Sequence, residues 1–103
     1  MHIQVNTDHN IQGDERLVEV CEQIVTEALL PIAKRLNGVE VHIKDTRGPK
    51  GGEDIRATVE ARPEGLRAYA AHHDATEIPV AVRQAAKKVK QRLEAEFGKL
   101  SNH

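Results

Sequence analysis

The clearest candidate for a functional site is a group of five basic side chains within ten positions near the carboxyl end. No acidic residue interrupts the run, which consists of Arg83, Lys87, Lys88, Lys90 and Arg92. Positive charges on one solvent-facing helix surface bind phosphates, because binding releases the counterions condensed on a nucleic acid. The same pattern also fits a solvated helix surface whose cations complement the helix dipole. The residues alone leave both interpretations open.

The densest group of potential metal ligands is His72, His73 and Asp74. Adjacent histidines on a strand point to opposite faces and do not easily share one ion. No cysteine lies near them to complete a zinc site. The sequence therefore predicts no metal and no other cofactor. A histidine pair at the end of a strand instead suits hydrogen bonding to RNA, or gaining charge in mild acid.

No group of residues has the pattern of a catalytic site. Cys21 lies at a helix-periodic position among apolar residues, which predicts a small core residue rather than a nucleophile. The loop of residues 48–52, GPKGG, lacks the spacing of a phosphate-binding loop and does not lead into a helix. It is predicted to be a flexible hairpin connection with Lys50 at its tip. We therefore expect a protein that is not an enzyme.

The length and composition predict one domain over residues 1–100 and a frayed tail at 101–103. The single cysteine suits a reducing cytosol, and the absence of a membrane-length apolar run or signal peptide favours a cytoplasmic protein. A chain this short can bury only part of its unfolded surface and has limited stability in reserve, so a homodimer that buries a sheet edge is a reasonable expectation. The net charge of −1 conceals five acidic residues and one basic residue between Asp14 and Glu27.

The periodicity of apolar residues predicts two helices. The first begins at Asp14 and Glu15, is kinked or reset by Pro31, and ends at Gly38 in a left-handed cap. The second is capped by Thr76, with Pro79 in its first turn. The apolar stripe of this second helix comprises Val82, Ala86, Val89, Leu93, Phe97 and Leu100.

Alternation of apolar and polar residues predicts four strands. They are residues 3–6, 39–44, 55–62 and 66–71, with a tight turn at Pro63–Gly65 between the last two. The predicted fold is α+β with the order β-α-β-β-β-α, a four-stranded mixed sheet with both helices on one face. The other face, called here the open face, is expected to be net basic. It would carry His42, Lys44, Arg56, Arg62, Arg67 and Tyr69 against Glu40 and Glu60.

Three segments in this order resemble the ribosomal-subunit-interface family, which includes the hibernation-promoting factors and the ribosome-associated inhibitor. They are the opening IQVN, the strand VEVHIKD and the basic helix AVRQAAKKVKQRLE. The family is also called the sigma-54 modulation family. The resemblance covers residues 2–100.

The resemblance implies a stress-linked factor that docks on ribosomal RNA of the small subunit, in the channel for messenger and transfer RNA, and idles translation. The implied RNA contacts are the basic helix and neighbouring strands. The predicted RNA-binding set is Arg83, Lys87, Lys88, Lys90, Arg92, Lys44, Arg56, Arg62, Arg67 and Tyr69. The alternative is a protein-interaction adaptor of the same fold with weak or no RNA affinity, which the acidic first helix and neutral net charge favour.

Overall fold

A computed structural model describes residues 1–8, 11, 13–46 and 55–101 of the chain. A short 3-10 helix, Leu30–Arg35, separates the first α-helix from the second strand. The strands are β1 (His2–Thr7), β2 (Leu36–Asp45), β3 (Ile55–Pro63) and β4 (Tyr69–Ala75), and the helices are α1 (Glu15–Leu29) and α2 (Ile78–Ser101). The predicted loop with Lys50, and residues 102–103 of the predicted tail, lie outside the described residues.

The sheet has the predicted topology. Its strand order is β1-β2-β3-β4, with β1 parallel to β2 and the other two pairs antiparallel. Since parallel neighbours need a crossover, α1 makes the connection from β1 to β2 and lies on the same face as α2. The predicted α+β class and element order are confirmed.

The core lies between the sheet and the two helices. Every second residue of β3 is buried there, as are Leu36, Val39, Val41 and Ile43 of β2, and no polar or charged residue of the described chain is buried. Cys21 is fully buried, as the helical periodicity predicted. The largest fully buried side chains are Leu29, Ile43, Leu93, Val25, Val41, Val59, Val82, Val89 and Cys21.

The first helix ends earlier than predicted. Asp14 caps it, since its Oδ1 accepts a hydrogen bond from the Leu17 backbone N–H at 2.8 Å. The chain leaves the α-helix after Leu29 and enters the 3-10 helix with Pro31 in its first turn, where a missing N–H is tolerated. The prediction that Gly38 is a left-handed cap was wrong. Gly38 lies in β2 without a positive φ, beside a register shift that lets the strand begin at Leu36.

The predicted tight turn between β3 and β4 is present, but the strand after it begins later than expected. The Leu66 N–H donates to the Pro63 carbonyl across the turn, and Gly65 has a φ of +77°, which a glycine adopts without strain. β4 then starts at Tyr69, paired with Ala61. Tyr69 is half-buried against the core on the helix-bearing face, so its predicted place on the open face was wrong.

The second helix buries the predicted stripe from Val82 to Phe97. It begins at Ile78, and the Glu77 carbonyl accepts the first helical bond from Ala81, so Thr76 lies one residue before the cap position. Leu100, in the last turn of α2, is 47% exposed, which corrects its place in the predicted stripe. Ser101, predicted to be frayed, is the last helical residue. No helix in the described part of the chain is long and apolar enough to cross a membrane.

Candidate nucleic-acid interface

The basic residues of α2 lie on two flanks of the helix rather than on one surface. An α-helix turns about 100° per residue, so Lys87 and Lys88 point to different sides of the solvent-facing surface of α2. Lys88 and Arg92 point toward β4, as their contacts below establish. Arg83, Lys87 and Lys90 share the opposite flank.

The flank toward β4 is fixed by specific contacts. Lys88 donates from Nζ to the backbone carbonyl of His72 at 2.8 Å. The Arg92 guanidinium lies over the Tyr69 ring, 5.2 Å from its centroid, within cation–π range. Arg92 Nε also lies 3.3 Å from Glu96 Oε1. Lys88 therefore keeps its full charge beside the sheet edge, whereas the charge of Arg92 is partly offset.

A cleft of about 270 Å³ opens at the end of this flank, between α2 and the segment that enters β4. It brings together three residues of the predicted RNA-binding set, Arg67, Tyr69 and Arg92. The remaining lining is Leu66, Ala68, Leu93 and Glu96. Arg67 precedes β4, so its predicted position on the open face is corrected to the rim of this cleft.

The opposite flank holds the freest cations. Arg83 and Lys87 are exposed, and neither makes an ion pair within the part of the chain that the structure describes. Lys90 Nζ lies 3.4 Å from Glu94 Oε1, one helical turn further on. Of the five basic residues between Arg83 and Arg92, three are therefore without a carboxylate partner among the described residues: Arg83, Lys87 and Lys88.

The open face is electrically neutral, so the prediction of a net basic surface was wrong. The phase of β4 places Asp74 on this face opposite Arg56, and Arg67 lies outside it. The charged residues of the open face are thus three cations, Lys44, Arg56 and Arg62, and three carboxylates, Glu40, Glu60 and Asp74.

Most of these charges are paired. Arg56 binds both carboxylate oxygens of Asp74, at 2.7 and 3.0 Å, and this hydrogen bonding lowers the pKa of Asp74. Arg62 bridges the opposed carboxylates of Glu40 and Glu60 at 2.8 and 3.2 Å, offsetting a like-charge pair across the strands.

Glu40 also contacts a histidine on the open face. His42 Nε2 lies 3.2 Å from Glu40 Oε2, and this hydrogen bond, together with Arg62, lowers the pKa of Glu40. Lys44 is the only open-face cation of the described residues without a carboxylate partner.

The remaining candidate groups do not converge. His72 is exposed on the open face, while His73 is half-buried on the helix-bearing face opposite the buried Ala57. The described residues contain no cluster of three or more histidine, cysteine or acidic side chains able to hold a metal. Burial raises the pKa of the Cys21 thiol to about 11, which opposes formation of the thiolate.

Sequence reasoning missed the carboxylates that offset the cations. The pairs Lys90–Glu94 and Arg92–Glu96 have the i,i+4 spacing that places side chains side by side on a helix, and this signal was present in the sequence. Asp74 could be paired with Arg56 only once the register of β3 and β4 was known.

No protein-family model matches the chain, and no curated protein matches it. Solved structures do match. A ribosomal subunit interface protein from Coxiella burnetii superposes with a TM-score of 0.76 at 14% identity, covering 95% of this chain and 99% of that one. The N-terminal domain of Thermus thermophilus Protein Y superposes with a TM-score of 0.70 at 11% identity, covering 92% and 98%. The resemblance inferred from the sequence is therefore confirmed at the level of the fold, which this chain shares with ribosomal subunit interface proteins.

Proposed function

We propose that the protein is a cytoplasmic ribosome-binding factor that idles translation by occupying the small-subunit RNA channel. It acts by binding ribosomal RNA, with no catalytic step and no cofactor. The observation that carries the proposal is a group of three α2 cations that have no carboxylate partner among the described residues, Arg83, Lys87 and Lys88, on the fold of a ribosomal subunit interface protein.

The binding mode follows from the kind of groups that α2 exposes. Single lysine and arginine contacts with phosphates position a protein on a nucleic acid and read no sequence. The one tyrosine is half-buried beneath Arg92, so it does not offer an open ring on which bases could stack. Recognition therefore rests on RNA shape and charge.

The members of the predicted RNA-binding set differ in what binding costs them. Arg83 and Lys87 on one flank of α2 and Lys88 on the other form the centre of the proposed interface. Lys88 also donates to the His72 carbonyl, but its ammonium has three donors and can contact a phosphate as well. Lys44 and Arg67 can join without losing a carboxylate partner among the described residues. The other cations, Arg56, Arg62, Lys90 and Arg92, must first leave the carboxylates that they contact. Such an exchange returns little free energy, because one ionic contact replaces another.

Occupation of the channel excludes its other ligands. Adding the protein to purified small subunits should release bound messenger RNA or transfer RNA in a saturable manner. The triple variant Arg83→Gln, Lys87→Gln, Lys88→Gln should release much less. A matched control, Arg16→Gln, Lys34→Gln, Lys99→Gln, removes the same charge from other exposed positions and should behave like the wild type. Equal loss of release in both triple variants would contradict the assigned surface.

The adaptor function remains the second candidate, and two observations favour it. The open face is neutral and its cations are mostly paired, and the exposed side of α1 is acidic. A protein partner on the neutral open face would bind with little dependence on salt, because charge then acts mainly on the association rate. The salt dependence of binding therefore separates the two functions.

A further inference from the structure

The two edge strands of the sheet differ in how far they are protected against pairing with another chain. On the outer side of β4, Lys88 covers the backbone by donating to the His72 carbonyl, and Asp74 adds a charge to the strand. Covering groups and charges are the usual protection of an edge strand against pairing with another chain. The β4 edge is therefore protected.

The β1 edge has none of these protections among the described residues. The strand His2–Thr7 contains no lysine, arginine, aspartate, glutamate or proline, and its pairing with β2 is regular over all six residues. No other described strand pairs with its outer side. Ile3 and Val5 are only partly buried against the core, so this edge also exposes apolar surface.

The residues of β1 are complementary to themselves when the strand pairs antiparallel with a second copy centred on Gln4. When Gln4 opposes Gln4 of a second copy, Ile3 lies opposite Val5 twice on the helix-bearing face. His2 then lies opposite Asn6 on the open face. Shifting the register by two residues keeps one central apolar pair within β1, Val5 with Val5 or Ile3 with Ile3, in place of two. Shifting it by one sets apolar side chains against the polar face. Directly opposed apolar pairs stabilise a sheet.

We propose that β1 pairs with β1 of a second copy of this chain in this antiparallel register. The pairing forms a two-fold symmetric dimer with a continuous eight-stranded sheet, in which both helix layers lie on one face. The occupant is a second copy because the strand complements itself and carries no charge that would select a different partner. The proposal does not depend on ribosome binding, since β1 contributes no residue to the proposed RNA-binding interface.

Sedimentation equilibrium over a range of protein concentrations tests the dimer. About 0.3 M salt in the buffer should screen the acidic α1 helices of the two copies. We expect a monomer–dimer equilibrium below millimolar concentration, and Gln4→Lys should weaken it severalfold, because two like charges then oppose each other at the symmetry axis. A wild type that stays monomeric up to about 1 mM, or a dimer that Gln4→Lys leaves intact, would overturn the proposal.

Cross-linking tests the register. Under mild oxidation Gln4→Cys should form a disulfide-linked dimer, because opposed Cβ atoms in this register lie within reach of a disulfide. Ala70→Cys is the matched control, since it is exposed near the start of β4 on the other edge. Cys21 is buried and does not compete. Equal cross-linking at both positions would show random collision and would contradict the β1 pairing.

Discussion

The salt dependence of binding can be worked out from the charges that the structure leaves unpaired. Each phosphate neutralised on irregular or single-stranded RNA contributes roughly −0.7 to the slope of log K against log salt. Arg83, Lys87 and Lys88 have no carboxylate partner among the described residues. Three contacts give a slope of about −2. Recruiting Lys44 and Arg67 as well would steepen it to about −3.5.

Replacing these three residues by glutamine should remove their share of the slope. Glutamine is a good helix former, so the helix itself should persist. If the two proteins bind equally at 1 M salt, losing a slope of 2 weakens binding about 100-fold at 0.1 M. Binding of labelled protein to purified small subunits at several potassium chloride concentrations measures both quantities. Circular dichroism shows whether each variant is folded.

Two results would refute this reasoning. A wild-type slope near zero would exclude binding through phosphates and favour the adaptor function. A steep slope that persists in a folded triple variant would show that other cations carry the interaction. The matched control, Arg16→Gln, Lys34→Gln, Lys99→Gln, should retain the wild-type slope and shows the effect of net charge alone.

Two further predictions concern the fold. Leu93→Ala should lower the free energy of unfolding by about 2–5 kcal/mol, because Leu93 is 1% exposed and its loss leaves a cavity. Leu100→Ala changes a side chain that is 47% exposed and should cost less than about 0.5 kcal/mol. Denaturant titration of both variants measures the two costs, and equal costs would show that the buried face of α2 is wrongly assigned. The pKa values of Asp74 and Glu40 are lowered in the folded protein. Their contribution to the stability of the fold is therefore present above their ordinary pKa values of 3.8 and 4.5, and it is lost as the pH falls through the pKa values of the folded state. Melting temperatures measured from about pH 5 to about pH 3 should therefore fall less steeply in Asp74→Asn than in the wild type, and identical profiles would contradict the role of the Arg56–Asp74 pair.

The sequence predicted the element order and most of the core because the apolar periodicities are strong. Val82, Val89 and Phe97 recur at helical spacing, and Val39, Val41 and Ile43 alternate, so each buried face follows directly. The helix start at Asp14 was also predictable, because a capping carboxylate depends only on its local neighbours.

The orientation of β4 was not predictable from alternation. Ala70 and Ala71 are equally small and apolar, so neither face is distinguished within the strand. The distinguishing residues, Leu66 and Arg67, lie in the connection before it. The face was decided by the pairing of Tyr69 with Ala61, which depends on the length of that connection.

The prediction that the open face is net basic was wrong for the same reason. Once the register is set, Asp74 lies opposite Arg56 and neutralises it. Charges summed along a sequence do not show which of them meet across strands. The partly offset cations of α2 were different, because Glu94 and Glu96 stand at the i,i+4 spacing and could have been identified.

The central claim is that this chain binds the small ribosomal subunit directly. Centrifugation of the purified protein with separated small and large subunits at about 50 mM salt, and again at about 200 mM, tests it. We predict saturable sedimentation with the small subunit at one copy per particle, weakened at the higher salt, and little with the large subunit. Protein that stays in the supernatant with small subunits at the lower salt would contradict the account.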